Sequence, residues 1–272
     1  MNFASIKNAF LRFWKSSNEK VSIVRDVVIA LIAVFIILML LWGYTGQWFA
    51  APMVAIESGS MEHPNPPFGR LGTIDAGDMV LVVKVTKRSD VVPHGGTHEG
   101  AAAENGWRSY GDFGDVIIYK PLGRNDVSQI IHRAMCWVDV YTTKGITTYT
   151  IVDYGINNVT SLNIPELGLY NRDPQWTHSG FLTKGDANDV IDEITDICPE
   201  PVKIEWITGK ARSEIPWLGT INLFFEDVFH GTHTVGNVHE DSLICLGIVI
   251  AILVSIPIIL DIREYLKNKK TP

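Results

Sequence analysis

The sequence predicts a mainly β protein: one external all-β domain, a barrel or sandwich of coiled sheets, with one N-terminal and one C-terminal transmembrane helix. Two uncharged apolar runs, Val27–Trp42 and Leu243–Leu260, lie near the ends. Between them the apolar runs are short, mostly β-branched and bounded by Gly, Pro, Asn and Asp turns. No long stretch there has helical periodicity. With 272 residues and 46% apolar content, the chain has room for one soluble domain of ordinary size besides the spans, and not for a second large one.

In chain order, residues 1–26 form a basic leader carrying Lys7, Arg12, Lys15, Lys20 and Arg25. The first span then occupies 27–49, with Trp42, Tyr44, Trp48 and Phe49 suited to the outer interface, where an amphipathic ring meets both water and acyl chains. Ala50-Ala51 could serve as a small-residue processing site, but the long leader and long apolar run favour an uncleaved anchor. The second span, 243–260, contains Pro257, which neighbouring groups can accommodate in a membrane helix. It is followed by a basic tail at 261–272 with Arg263, Lys267, Lys269 and Lys270. Positive charge flanking both spans puts both termini in the cytoplasm and the domain 50–242 outside the cell membrane.

From Gly43 to Ser242 there are 14 basic and 26 acidic residues, a balance of −12. An acidic, solvated domain lacks the clustered basic surface that nucleic acid requires, so that class of partner is excluded. Strands are expected at Met79–Val85, Asp115–Tyr119, Gln129–Val140, Ile146–Val152, Gly180–Thr183 and Val202–Ile207. Residues 86–114 are expected to form an exposed insertion and Asn171–Ser179 a second loop. Cys136, Cys198 and Cys245 imply no disulfide framework; a Cys136–Cys198 bridge is possible but has no spacing signal.

Ser60 sits in Ser58-Gly59-Ser60-Met61, 17 residues beyond Gly43 and just before the turn-rich Pro64-Asn65-Pro66-Pro67. A serine hydroxyl needs a base, and the base needs an orienting group. Among the eight histidines, His132 is the one inside a strand-like run; Asp186, Asp189 and Asp192 cluster after the strand at 180–183. Read singly, each is equally an ordinary loop or strand residue. The acidic cluster lacks the spacing and distal Glu of a calcium loop. His94/His98 and His230/His233 have no further ligands at zinc spacing, so no metal or other cofactor is implied. Pro216–Phe229, with Trp217, Leu218, Phe224, Phe225 and Phe229, is either a surface that dips into lipid or lines a peptide groove, or ordinary core.

Ser58-Gly59-Ser60-Met61-Glu62, Gly114-Asp115-Val116-Ile117-Ile118-Tyr119, Ile131-His132-Arg133 and Thr183-Lys184-Gly185-Asp186-Ala187-Asn188 with Asp192 resemble, in that order, the boxes of type I signal peptidases. The likeness continues into Gly209-Lys210-Ala211-Arg212 and Pro216-Trp217-Leu218-Gly219. Histidine rather than lysine in the third box resembles the archaeal members and the catalytic subunit of the endoplasmic-reticulum complex, and the insertion and C-terminal span look most like archaeal members. Ala187 stands where the family usually has asparagine, and Ile191 where it often has an acid or proline.

The resemblance implies a serine endopeptidase that removes signal peptides from exported preproteins. Ser60 would be the nucleophile, His132 the general base and Asp192 its orienting acid, with Asp186 the competing acid. The Ser60 N–H and Ser58 hydroxyl would serve the oxyanion, with Met61 completing this oxyanion- and substrate-binding motif. Preprotein signal peptides, the lipid bilayer and the protein-translocation channel would be its partners. A 17-residue tether reaches at most about 60 Å, which keeps Ser60 near the outer bilayer face. The rival expectations are a catalytically inactive anchored β domain that binds exported proteins, and a membrane protease for other precursors.

Overall fold

The computed structural model describes residues 12–16, 18–48, 50–95 and 107–269. Lys7, Phe49, the centre of the expected insertion with His98, and Lys270 lie outside the described residues. The chain divides into two compact units, Met1–Pro52 and Met53–Pro272.

The first unit contains helix α1, Glu19–Thr45. The Asn18 side chain accepts a hydrogen bond from the Lys20 N–H, and Gly46, in a left-handed conformation, donates its N–H to the Trp42 carbonyl. These caps satisfy end groups that the helix itself leaves open. They explain why the helix starts before 27 and stops short of 49: the capping residues, and not the limits of the apolar run, set its ends. At 27 residues it is about 40 Å long, and its aliphatic side chains from Ile23 to Leu40 are largely exposed, as suits a helix surrounded by lipid.

The second unit is built on an antiparallel sheet. Strands β1 (Met53–Ala55), β2 (Met79–Val83), β3 (Arg108–Ser109), β4 (Asp112–Phe113), β5 (Val116–Tyr119), β6 (Ile130–Thr143), β7 (Ile146–Ile151), β8 (Ile156–Val159), β9 (Leu162–Ile164), β10 (Leu169–Arg172), β11 (Gly180–Lys184) and β12 (Ile207–Ile215) follow in sequence. The main sheet runs β1-β2-β12-β5-β6-β7-β8, with β11 also paired to β6, while β3-β4 and β9-β10 form two small ribbons. All four residues of β5 are buried. Ile117 and Tyr119 pack with Phe181 and Val202 on one face, and Val116 and Ile118 pack with Val80, Val82, Ile56 and Met61 on the other. A sheet covered on both faces has continuous apolar strands in place of alternating ones. Truncating Ile117 to Ala should cost about 2–5 kcal/mol.

Several expectations are corrected. The domain between the two apolar runs is not all-β, because Gly219–His230 forms helix α2. Residues 202–206 are not a strand: Val202 makes one bridge to Phe181, Ile204–Trp206 is a 3-10 turn, and the strand begins at Ile207, where it was expected to end. Asn171–Ser179 is not an exposed loop throughout; Trp176 is buried edge-on against Tyr149. The described ends of the insertion are also built in, with Val91 and His94 buried. Cys136 and Cys198 are free thiols in separate core clusters. At the C-terminus, helix α3 spans Glu240–Lys269 with Pro257 inside it. Helices α1 and α3 are both long and apolar enough to cross a membrane.

Candidate active site

Strand register decides which side chains meet. Ile117 lies opposite His132 and Tyr119 opposite Ile130, so Tyr119 and His132 share a face of the β5–β6 pair. On the other partner, Leu182 pairs with Cys136 but Thr183 pairs with Ala134, which leaves Met135 as an extra residue on β6. Such a bulge reverses which way the following residues face. It puts Thr183 on the face occupied by Tyr119 and His132. The chain then returns through a 3-10 turn beginning at Asp192, pinned by the Ile191 N–H to the Leu167 carbonyl.

Asp192, fully buried, stands at the centre of these three groups. Its Oδ2 lies 2.6 Å from His132 Nδ1 and accepts from Tyr119 O–H at 2.8 Å and from Thr183 O–H at 2.8 Å. Oδ1 is buried and has no hydrogen-bond partner among the described residues, so every contact of the acid falls on one oxygen. Burial first, and then the nearby Asp192 and Glu193, push the Tyr119 phenol well above its ordinary pKa, which keeps it a proton donor.

Asp186 is held elsewhere. Arg133, next to His132 on β6, points to the opposite face and clamps Asp186 through Nε at 2.7 Å and Nη2 at 2.5 Å. It also donates to the Phe113 and Gly114 carbonyls. Two consecutive strand residues thus take one acid each: His132 binds Asp192 and Arg133 binds Asp186. His63 Nε2 lies 3.2 Å from Asp186 Oδ2, the oxygen that Arg133 Nη2 also meets.

The loop that carries Ser60 is fastened at several points. Its carbonyl accepts from the Ala187 N–H at 3.0 Å. Two residues later Glu62 meets His239 Nε2 at 2.8 Å, and the Glu57 carbonyl accepts from Asn237 Nδ2 at 2.7 Å, tying the loop to the segment that enters α3. Gly185 sits against both Ser60 and His132: a methyl group there would lie 2.5 Å from the Ser60 carbonyl oxygen and 2.9 Å from His132 Nε2. The free imidazole nitrogen and the serine loop therefore converge on one point. Ser60 Oγ is partnered by Ser58 Oγ at 3.4 Å and not by the imidazole. Hydrogen bonds of this kind are often long before a substrate is bound.

Ser60, Ser58 and His132 line a cleft of about 360 Å³ whose walls include Val54, Ile56, Ile118 and Ile130. An open depression of about 440 Å³ near Arg88 and Phe181 shares none of these residues. Met61 is not part of the cleft wall; its side chain is buried with Ile56, Ile74 and Val80, where it anchors the serine loop from below. Asp115 and Lys210, from two of the motif boxes, form a buried ion pair at 2.7 Å that joins the segment before β5 to β12. No group of three or more His, Cys, Asp or Glu suited to a metal ion occurs among the described residues.

Tyr119, Arg133, Thr183 and Gly185 stand inside the quoted motifs without a role assigned from sequence, and Glu193 was not singled out. The hydroxyls carry no sequence signal of their own, since only the register of β5, β6 and β11 turns them toward Asp192. In comparison with known proteins, no family model and no curated protein matches the chain.

Proposed function

We propose that the protein is a membrane-anchored serine endopeptidase that removes signal peptides from exported preproteins, with Ser60 as nucleophile, His132 as general base and Asp192 as the acid that orients it. One observation carries the reading: His132 Nδ1 is 2.6 Å from a fully buried carboxylate, while Nε2 and the Ser60 loop close on Gly185 from either side. Asp192 fixes the tautomer that leaves Nε2 free to take the serine proton and return it to the leaving amine. The Ser60 N–H, which has no hydrogen-bond partner among the described residues, and the Ser58 hydroxyl would meet the oxyanion.

The cleft supports a peptide substrate. β1 is the last strand of the sheet, so it is the edge to which an extended backbone would add, and it leads within five residues to Ser60. Apart from Ser58, Ser60 and His132 the walls are mostly aliphatic, with Ser128 and Gln129 polar but uncharged and Glu57 at the exposed rim, which suits the small uncharged residues that precede a signal-peptide cleavage site. The ties from Glu57 and Glu62 to the root of α3 hold the nucleophile beside a helix that we read as embedded in the bilayer. In this reading α2 lies on the lipid surface. It buries Thr220 and Leu223 but leaves Ile221, Phe224, Phe225, Val228 and Phe229 exposed, an apolar stripe at helical spacing on its outer side.

The test is to incubate the detergent-purified protein with a preprotein and determine the new N-terminus by mass. Cleavage just after the small residues that follow the apolar core of the signal is expected. No cleavage, or cutting only within the mature part, would contradict the assignment.

A further inference from the structure

Behind the His132–Asp192 pair lies a second carboxyl group, Glu193, also buried. Both of its oxygens accept from the Thr183 N–H at 3.0 Å. Its Oε1 is 2.9 Å from Thr183 Oγ1, and the same hydroxyl is 2.8 Å from Asp192 Oδ2. A threonine has one hydroxyl proton. Placed between two ionised carboxylates, it could satisfy only one, and the other would face it lone pair against lone pair. A single extra proton on the pair resolves this. Asp192 Oδ2 already receives an imidazole N–H and a phenol O–H, whereas Glu193 receives one backbone amide, so the negative charge belongs on Asp192 and the proton on Glu193.

We propose, resting on the peptidase reading above, that Glu193 is a positioning residue whose protonated carboxyl donates to Thr183 Oγ1, which in turn donates to Asp192 Oδ2 and holds that oxygen against His132. The directions then follow: Glu193 to Thr183, Thr183 to Asp192, Tyr119 to Asp192 and His132 to Asp192, and the longer 3.2 Å contact between the Thr183 and Tyr119 hydroxyls is left without a proton because both donate to Asp192. Burial, and then the charge of Asp192, drive the Glu193 carboxyl well above its ordinary range, in agreement with this count. The titratable groups around it point the same way. Tyr119, Cys136 and Cys198 are each pushed up by burial and by neighbouring carboxylates, including Glu193, and so stay neutral beside it. On its outer side Arg172, Asp173 and Asp196 line the same shallow depression.

The test uses full-length protein in detergent and two independent readouts. In the Ser60→Ala background, carboxyl carbon NMR of labelled glutamate, with Glu193 assigned by its loss in Glu193→Gln, should show a protonated carboxyl at pH 7. An ionised Glu193 at that pH would overturn the proposal whether or not the protein cleaves anything. In the active chain, Thr183→Val should lower kcat by about 10- to 100-fold with KM unchanged, as expected for losing a hydrogen bond to a charged group. Thr183→Ser should restore the rate to near the parent's. Glu193→Leu, which lacks the donor, should lower kcat in the way Thr183→Val does, and Glu193→Gln, whose amide supplies the same donor and acceptor as the neutral acid, should recover most of that loss. A Thr183→Val enzyme with unchanged kcat, or a serine variant that fails to recover, would remove the relay. If the parent enzyme cleaves no preprotein at all, the peptidase reading fails, while the NMR result still decides the protonation of Glu193.

Discussion

Gly185 tolerates no side chain, because a methyl group would enter the space between the Ser60 carbonyl and His132 Nε2. Neither atom can retreat easily: the carbonyl is held by Ala187, and the imidazole by Asp192. Gly185→Ala is therefore expected to lower kcat at least 100-fold, since misplacing a reacting group by about 1 Å costs that much, and to cost about 1–3 kcal/mol of stability through the overlap, with the fold retained by circular dichroism. The two acids separate in the same way. Asp192→Asn should lower kcat by about 10³- to 10⁴-fold through loss of the correct imidazole tautomer. Asp186→Ala leaves the buried Arg133 guanidinium unpaired and should cost about 3–5 kcal/mol of stability, read as a lower midpoint in denaturant. If Asp186→Ala proved the worse of the two in kcat, the orienting acid would have to be reassigned. At this scale the sequence was partly legible. Ser60, His132 and Asp192 were named from motif order, but Tyr119 and Thr183 are a bland tyrosine and threonine until strand pairing aims them at one carboxylate.

Among the elements, β6 does the most to build the site, for it presents His132 and Arg133 to opposite faces and carries the bulge that turns Thr183 inward. β5, β6 and β7 were readable because runs such as Val116–Tyr119 are apolar, β-branched and bounded by turns. The bulge at Met135 leaves no such mark. Helix α2 does carry a helical signal, with Ile221, Phe224, Phe225, Val228 and Phe229 at i, i+3, i+4, i+7 and i+8, but it is only 12 residues long and opens on Gly219 without a capping side chain, so no start signal marks it as a helix. Its start is fixed by packing and not by pattern. The Thr220 N–H donates to the Gly77 carbonyl at 2.8 Å, and Gly219 lies so close to the Asp78 carbonyl that a methyl group would overlap it. Replacing Phe225 and Phe229 together by Ser should leave cleavage of a short soluble peptide unchanged and slow cleavage of a preprotein in lipid vesicles several-fold. Equal rates in vesicles for parent and variant would remove α2 from the membrane surface.

For the whole molecule, the junction between the domain and α3 concentrates charge. Arg70 lies 2.9 Å from Asp75 and 3.5 Å from Asp241, and the Gly69 N–H donates to Asp241. Nearby, burial pushes Asp78 up to about 6 and Glu214 up to about 7. A carboxyl raised in the folded state holds its proton longer than in the unfolded chain, so the folded form is favoured in acid. That contribution is complete below the ordinary carboxylate range and is lost as pH rises through about 6 to 7. Stability should therefore fall between pH 5 and pH 8, and Glu214→Gln should raise Tm at pH 8 with little effect at pH 5. A variant no more stable than the parent at pH 8 would show that the Glu214 carboxyl is not raised in the folded chain. Together with the Glu57–Asn237 and Glu62–His239 contacts they tie the segment after the serine loop, and the loop itself, to the root of α3, which on the proposed function holds the nucleophile where substrates would emerge. The central claim is that Ser60 performs the chemistry, and the most direct measurement is the rate of preprotein cleavage by Ser60→Ala beside the parent in detergent. The account predicts that the parent releases the mature protein and that the variant, equally folded by circular dichroism, releases none; cleavage at the parent's rate by the variant would contradict it.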